Sequence, residues 1–411
     1  MKKAKLYAER AVRVETAVTK GTPDRVPFVP MVSGFFMLGY QTSFYDVMQD
    51  PRSMAYGFQQ FMKDYEPDAV SLPGLYNMAS LEALQPNFLY WPGPECGLPL
   101  DASFQHLDLE ALMEDEYEDF IADPTHTILT KLLPRKYKKL RGLAKLDFHS
   151  VYDKNMMDSF AVLCDPEVRE ALDAMTTAGR GALKFRQRMG EVIKLMDEEG
   201  FPSFCQGSLV IPFDAFADSA RGIINITMDL LTCPEDVDRA VNALTRLTLE
   251  RQIKNAAAGG AQRIIFPLHC GMDEFMSPAN YEKYYWPNLK KAIVLTIECG
   301  MTPICFCEGN YNTRLEVLCD VPSGKVVYIF EYVDLQKAKD TVGQVACICG
   351  SLPNSLLIYG KPEEVEYETR RQIDILAPGG GYIMSCSATL DNADHKNMRV
   401  WREATLKYGE Y

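Results

Sequence analysis

PICFCEGNYNTRLEVL, residues 303–318, joins an apolar run to an acidic end. Pro303 to Cys307 suit a buried strand, Glu308, Gly309 and Asn310 follow, and Leu315 and Leu318 open a helix-like pattern. A strand, a polar turn and an amphipathic segment make one βα unit. Outward from it the rhythm repeats. Strands are expected at Phe204–Ile211, Arg263–Leu268, Thr302–Cys307, Lys325–Phe330, Val345–Gly350 and Gly381–Cys386. Helices are expected over Pro234–Ala258, Pro278–Cys299, Thr313–Leu318, Leu335–Val342, Pro362–Leu376 and Asn392–Tyr408. In TCPEDVDRA and GKPEEVEYE a proline stands at the helix start with acids just after it. Proline loses no hydrogen bond there, and carboxylates favour the positive end of the helix dipole.

Arg25–Met31 and Asp68–Leu72 read as two further strands, which brings the expected count to eight. An open doubly wound sheet also alternates strand and helix, but the turn VSGFFMLGYQ lacks a GxGxxG fingerprint and no Walker A sequence occurs. The α/β pattern is therefore that of a (β/α)8 TIM barrel with extra helical elaboration in the N-terminal half. Residues 1–411 are taken as one domain, with 75–199 a helical insertion within it that serves as a lid or dimer surface.

Composition narrows the function. The chain has 411 residues, 47% hydrophobic and 24% charged, and no apolar run approaches the roughly 20 residues of a membrane span. No membrane role is expected. The N-terminal stretch has scattered charges in place of a secretory apolar centre, so a cytoplasmic location is expected. A net charge of −13 argues against nucleic-acid binding. The basic run Lys131–Lys145 follows an acidic one, Asp108–Asp123, and reads as solvated helix surface or a local charge-matched contact. Twelve cysteines, many within apolar runs, read as reduced thiols or metal ligands.

Barrel catalytic groups sit at the C-terminal ends of strands. Those ends offer Asp214 and Asp218, His269 and Cys270, Glu308 and Asn310, Glu331, and Cys386 flanked by Ser385 and Ser387. Strand alternation puts Phe306 and Glu308 on one face and Cys305 and Cys307 on the other. His269, Glu308 and Cys386 have the N, O and S donors of a three-ligand catalytic zinc, the alternative being a hydrogen-bonded histidine and a packed thiol. A carboxylate ending an apolar strand needs a cation, a hydrogen-bond network or a raised pKa.

Several stretches resemble the uroporphyrinogen decarboxylase superfamily: GTPDRVPFVP, SPANYEKYYWPNLKKAI, EGN, YGKPEEVEYETRRQID and APGGGYIMSCSATLDNADHKNM. The resemblance implies a (β/α)8 barrel and a homodimer. True decarboxylases carry an arginine-rich motif where this chain has MVSGFFMLGYQ, so decarboxylation is not expected. The cobalamin-dependent methyltransferase branch binds zinc through His-x-Cys-Gly and a later Gly-Cys pair. With the motif's glycine on Gly309, its histidine falls on Phe306 and its cysteine on Glu308, while the later pair falls on Ser387 and Ala388. Cys386 lies two residues before the lost cysteine.

The stretch WPGPECGLPLDASFQHLDLEALMEDEYEDFIADP with LLPRKY resembles the O-demethylase-like branch. That resemblance implies methyl transfer from a methoxylated substrate, such as a phenyl methyl ether, to the Co(I) corrinoid of a corrinoid-binding partner protein. Glu308, His269 and Asp214 would be catalytic, with zinc on His269, Glu308 and Cys386. Asn310 and Tyr311 would position the small-molecule methyl donor, and Phe35, Phe36 and Tyr40 would pack on its ring or line the core. Methanol, a methylamine or a thiol as donor or acceptor, and a non-catalytic scaffold barrel, are the alternatives.

Overall fold

The computed structural model describes residues 2–147 and 157–411. Its centre is a parallel sheet of Arg263–Leu268, Thr302–Asn310, Val327–Tyr332, Cys347–Cys349 and Tyr382–Ile383, paired in that order. Three less regular staves complete it. Ser208 bridges Ile265, Val70 bridges Ser203, and Phe28 bridges Met384, all in parallel. The Asp68 amide donates to the Phe28 carbonyl at 2.8 Å, which links the first stave to the second and closes an eight-stave barrel. The helices pack outside it.

The first three staves carry only bridges because their sequences lack ladder donors. Pro27, Pro30, Pro73, Pro202 and Pro212 fall in or beside them, and proline has no N–H to give. A buried carboxylate replaces part of the missing ladder. Asp68 is fully buried and accepts from Arg13 at 2.7 Å, from Arg25 at 2.7 and 2.8 Å, and from the Phe28 amide at 2.8 Å. A carboxylate so saturated avoids the several-kcal/mol cost of an unpaired buried charge.

The expected helices Pro234–Ala258 and Pro362–Leu376 form with those bounds. The expected helix at 313–318 does not. There the chain makes turns and only a short 3-10 segment, Val317–Cys319, because Asp273 holds the Thr313 amide and hydroxyl at 3.1 and 2.7 Å.

In the insertion, Pro166–Glu199 runs 34 residues from the Asp165 cap to Gly200, whose φ of 90° ends the helix. The basic run is matched in part by the acidic run and in part by carboxylates at the start of this helix. Lys131 pairs with Glu116 and Asp119 at 3.0 and 2.7 Å, and Arg135 with Glu116 at 2.5 Å. Lys139 pairs with Glu170, and Lys145 with Asp165 and Glu167. The Arg135 guanidinium holds the Glu116 carboxyl down at about 2.

Candidate active site

Four consecutive stave ends supply the titratable groups. Asp214 and Asp218 follow the third stave, in Pro212–Phe216 and the turn after it. His269 follows Arg263–Leu268, Glu308 lies near the end of Thr302–Asn310, and Glu331 near the end of Val327–Tyr332. Parallel strands put all these ends at one mouth.

Glu308 reaches the mouth because the backbone bends behind it. The register slips between Cys307 and Asn310, and Gly309 adopts φ +78°. The Gly309 amide donates to Glu331 at 2.7 Å, and a Cβ there would stand 2.8 Å from the Met272 sulfur. Cys305 and Cys307 are fully buried, and burial raises the pKa of both thiols, so they remain protonated packing groups.

His269 Nδ1–H donates to Asp218 at 2.8 Å, and its Nε2 stands 3.6 Å from Glu308 Oε1. The two side chains are 30% and 33% exposed, so a substrate can reach both. Beneath them Asp214 is fully buried. It accepts from the His269 and Cys270 amides at 3.1 and 2.7 Å and from the Tyr285 hydroxyl at 2.7 Å. Asp214 thus fixes the turn that carries His269.

Burial raises the Glu308 carboxyl to about 7, against the opposing pull of His269. Burial likewise raises Asp214 to about 6. For His269 burial disfavours the charged ring, but the Asp218 hydrogen bond and the charges of Glu308, Asp218 and Asp214 outweigh it and lift the imidazole to about 9. Near neutrality the mouth therefore holds an imidazolium beside a carboxyl that is still partly protonated. Both are proton donors of the strength suited to general acid catalysis.

Cys386 does not join this pair. It is fully buried, its thiol points to the Met31 carbonyl at 3.5 Å, and burial pushes it up to about 12. The packing of the eighth stave on the first holds it there. Among the described residues no three His, Cys, Asp or Glu side chains have metal-binding spacing. The zinc set expected from His269, Glu308 and Cys386 is therefore not assembled, and these residues do not fit such a centre.

The expected substrate contacts are also placed differently. Tyr311 is fully buried and its hydroxyl donates to the Leu268 carbonyl at 3.2 Å, bracing the strand under His269. Asn310 Oδ1 accepts from the Asn312 amide and side chain at 3.1 and 2.8 Å, which ties it to its own loop. Phe36 stacks on Phe58 at 3.9 Å, and Phe35 packs among Phe61, Tyr65 and His395. The Tyr40 hydroxyl donates to Asp64 at 2.7 Å. These three rings line the contact between Phe35–Leu38, the helix Ala55–Tyr65 and the C-terminal helix, where apolar burial claims Phe35 and Phe36 while Tyr40 stays partly exposed.

The pairing of Asp218 with His269 has one sequence signal: Asp218 lies one helical turn after Asp214, on the same face. Tyr285, from a distant helix, has none.

The sequence profile of uroporphyrinogen decarboxylase (URO-D) matches residues 190–408, just over half of the chain. The chain belongs to the uroporphyrinogen decarboxylase family. The matched part contains every residue of the His269–Glu308 cluster, so this site is the URO-D barrel's mouth. No curated protein sequence matches the chain. Among solved structures, a methyltransferase from Methanosarcina mazei is similar over 97% of this chain and 98% of its own, with a TM-score of 0.64 and 13% identity. At that identity the likeness is one of fold. The GH20 modules of pneumococcal exo-beta-D-N-acetylglucosaminidase StrH cover 55% of this chain and 64% of theirs at a TM-score of 0.33 and 11% identity. That similarity is too low to carry an argument.

Proposed function

We propose that this URO-D family member is a methyltransferase acting on oxygen-bound methyl groups, the methoxylated-substrate component of an O-demethylase. The observation that carries the reading is the Glu308–His269 pair: two partly exposed proton donors 3.6 Å apart at the barrel mouth. An ether is a poor electrophile because its leaving oxygen is basic. A proton delivered to that oxygen as the C–O bond breaks stabilises the charge it develops.

In this reading the bond's electron pair stays on the oxygen, which takes the proton of Glu308, and the methyl group passes to the nucleophile. A Co(I) corrinoid carried by a partner protein would supply that nucleophile. Glu308 leaves the step as a carboxylate facing the His269 imidazolium, which stabilises it. Asp218 keeps His269 charged, and Asp214 keeps its backbone in place. A homodimer is part of the same proposal, on family resemblance.

The charge of the mouth supports this over decarboxylation. The stave ends there carry Asp214, Asp218, Glu308 and Glu331 against the imidazolium of His269, too little positive charge to pair a porphyrinogen's several carboxylates. The test is conversion of Co(I) to methyl-Co(III) on a supplied corrinoid protein, followed by absorbance, with guaiacol and methanol as competing donors. Methylation from guaiacol is expected; methylation from methanol alone would reassign the donor, and none from either would end the proposal.

A further inference from the structure

Arg314 closes the polar stretch that follows Glu308, and its side chain is fully buried. A buried guanidinium costs several kcal/mol unless its N–H groups are satisfied. One loop supplies most of the acceptors. Nε donates to the Gly271 carbonyl at 3.1 Å, while Nη2 donates to the Met272 carbonyl at 3.3 Å and to the Met276 carbonyl. Nη1 donates to the Thr313 hydroxyl at 3.0 Å, and that hydroxyl donates to Asp273 at 2.7 Å. Asp273 Oδ1 in turn stands 3.4 Å from Nε, which closes a triangle of Arg314, Thr313 and Asp273.

Residues 271–276 follow His269, and Arg314 follows Glu308. The arginine therefore ties the loop leaving the His269 strand to the loop leaving the Glu308 strand. Two further contacts tighten that seam. The Asp273 amide donates to the Asn310 carbonyl at 2.8 Å, and the Met272 side chain occupies the space that a Cβ on Gly309 would need. Underneath, a Cβ on Gly271 would stand 2.7 Å from the Tyr311 hydroxyl and 2.8 Å from the Tyr285 ring, so the loop passes tightly over two tyrosines. Neither loop can shift without breaking bonds made by a buried charge.

The gap across the seam is the quantity that matters to the chemistry. His269 Nε2 and Glu308 Oε1 stand at 3.6 Å, beyond the roughly 2.7–3.2 Å of an N–H···O hydrogen bond. An imidazolium and a carboxylate free to move would close that distance, and a closed pair holds the carboxyl ionised. An ionised Glu308 has no proton to give.

We propose that Arg314, with Thr313 and Asp273, is a positioning clamp that keeps Glu308 and His269 apart, so that a substrate oxygen and not an ion pair fills the gap. This rests on the proton-donor reading of Glu308 above. Arginine suits the task where lysine does not, because its planar fork of donors reaches three carbonyls and a hydroxyl at once.

Carboxyl ¹³C NMR of the full chain, with the Glu308 signal assigned by its loss in Glu308→Gln, tests the clamp without any methyl transfer. The charged groups facing Glu308 are His269, Asp214, Glu331 and Asp218, and the variants leave all four in place. In the wild type Glu308 should titrate near 7, where burial puts it. Arg314→Lys keeps the charge but not the fork, and Thr313→Val removes only the hydroxyl shared by Arg314 and Asp273. In both, the Glu308 titration should move about one pH unit lower or more as the pair closes. Thr313→Ser keeps the hydroxyl and should titrate like the wild type. Thr313 is exposed, and its variants decide the matter if Arg314→Lys fails to fold. A titration unmoved or raised in Thr313→Val or in folded Arg314→Lys, or lowered equally in Thr313→Ser, would overturn the clamp. A lowered titration in a protein without corrinoid methylation would leave the clamp standing and sink the proposed activity. Methylation with an unmoved titration would do the reverse.

Discussion

At the scale of single residues, Glu308 and His269 divide the work by their surroundings. Desolvation keeps a proton on the carboxyl, while Asp218 keeps one on the imidazole. Since the folded-state pKa of His269 is raised above its ordinary 6.5, its stabilising contribution is full below about 6.5 and is lost as pH rises through about 9. Asp218→Asn removes the main influence raising that value. The imidazole, followed by its NMR titration, is expected to lose its proton at lower pH than in the wild type; an unchanged titration would show that Asp218 does not hold the charge. Glu308 was legible in the sequence because a carboxylate ending an apolar strand is costly unless something compensates. Cys386 was not, since parity places a side chain on a face without saying which backbone group its sulfur meets. Phe35 and Phe36 misled for a related reason. An aromatic ring in a loop suits a substrate and a helix contact equally, and only the Ala55–Tyr65 helix decides between them.

At the scale of elements, the turn at Gly309 determines what Glu308 can do. Its positive φ and its closeness to Met272 and Glu331 turn the chain just past the carboxylate. Gly309→Ala is expected to destabilise the protein by about 1–2 kcal/mol through the left-handed backbone alone, with more from the Met272 contact. Chemical denaturation would measure that loss, and methyl transfer should fall with it as Glu308 is displaced. A variant as stable and as active as wild type would show that the turn is not required. The regular strands from Arg263 onward could be read from β-rich runs ending in polar turns. The first three staves could be placed but not characterised, because their prolines replace ladder bonds with side-chain bonds such as those to Asp68. Residues 313–318 show the opposite error: helix-like spacing lost to the hydrogen bonds that Thr313 donates to Asp273, which lies far away in sequence.

At the scale of the whole molecule, barrel closure brings the four titratable stave ends to one mouth, and it depends on the first and last staves meeting. Phe28 on the first stave packs edge to face with Trp401 at 4.8 Å, and Trp401 is fully buried in the C-terminal helix. Trp401→Ala should cost about 3–5 kcal/mol in denaturant unfolding; a cost under about 1 kcal/mol would show that closure does not rest on this contact. The alternation of strands and helices made the barrel readable without any contact being known. The insertion's role was less so, since a lid and a dimer surface can share the same helical pattern. The central claim is that Glu308 delivers a proton to a leaving oxygen, and the pH dependence of corrinoid methylation tests it most directly. With guaiacol as donor, the wild-type rate should fall as pH rises through about 7 as Glu308 loses its proton, and Glu308→Gln should be slower by roughly a hundredfold or more while remaining folded. A rate that is flat through that range, or a Glu308→Gln variant about as fast as wild type, would contradict the claim.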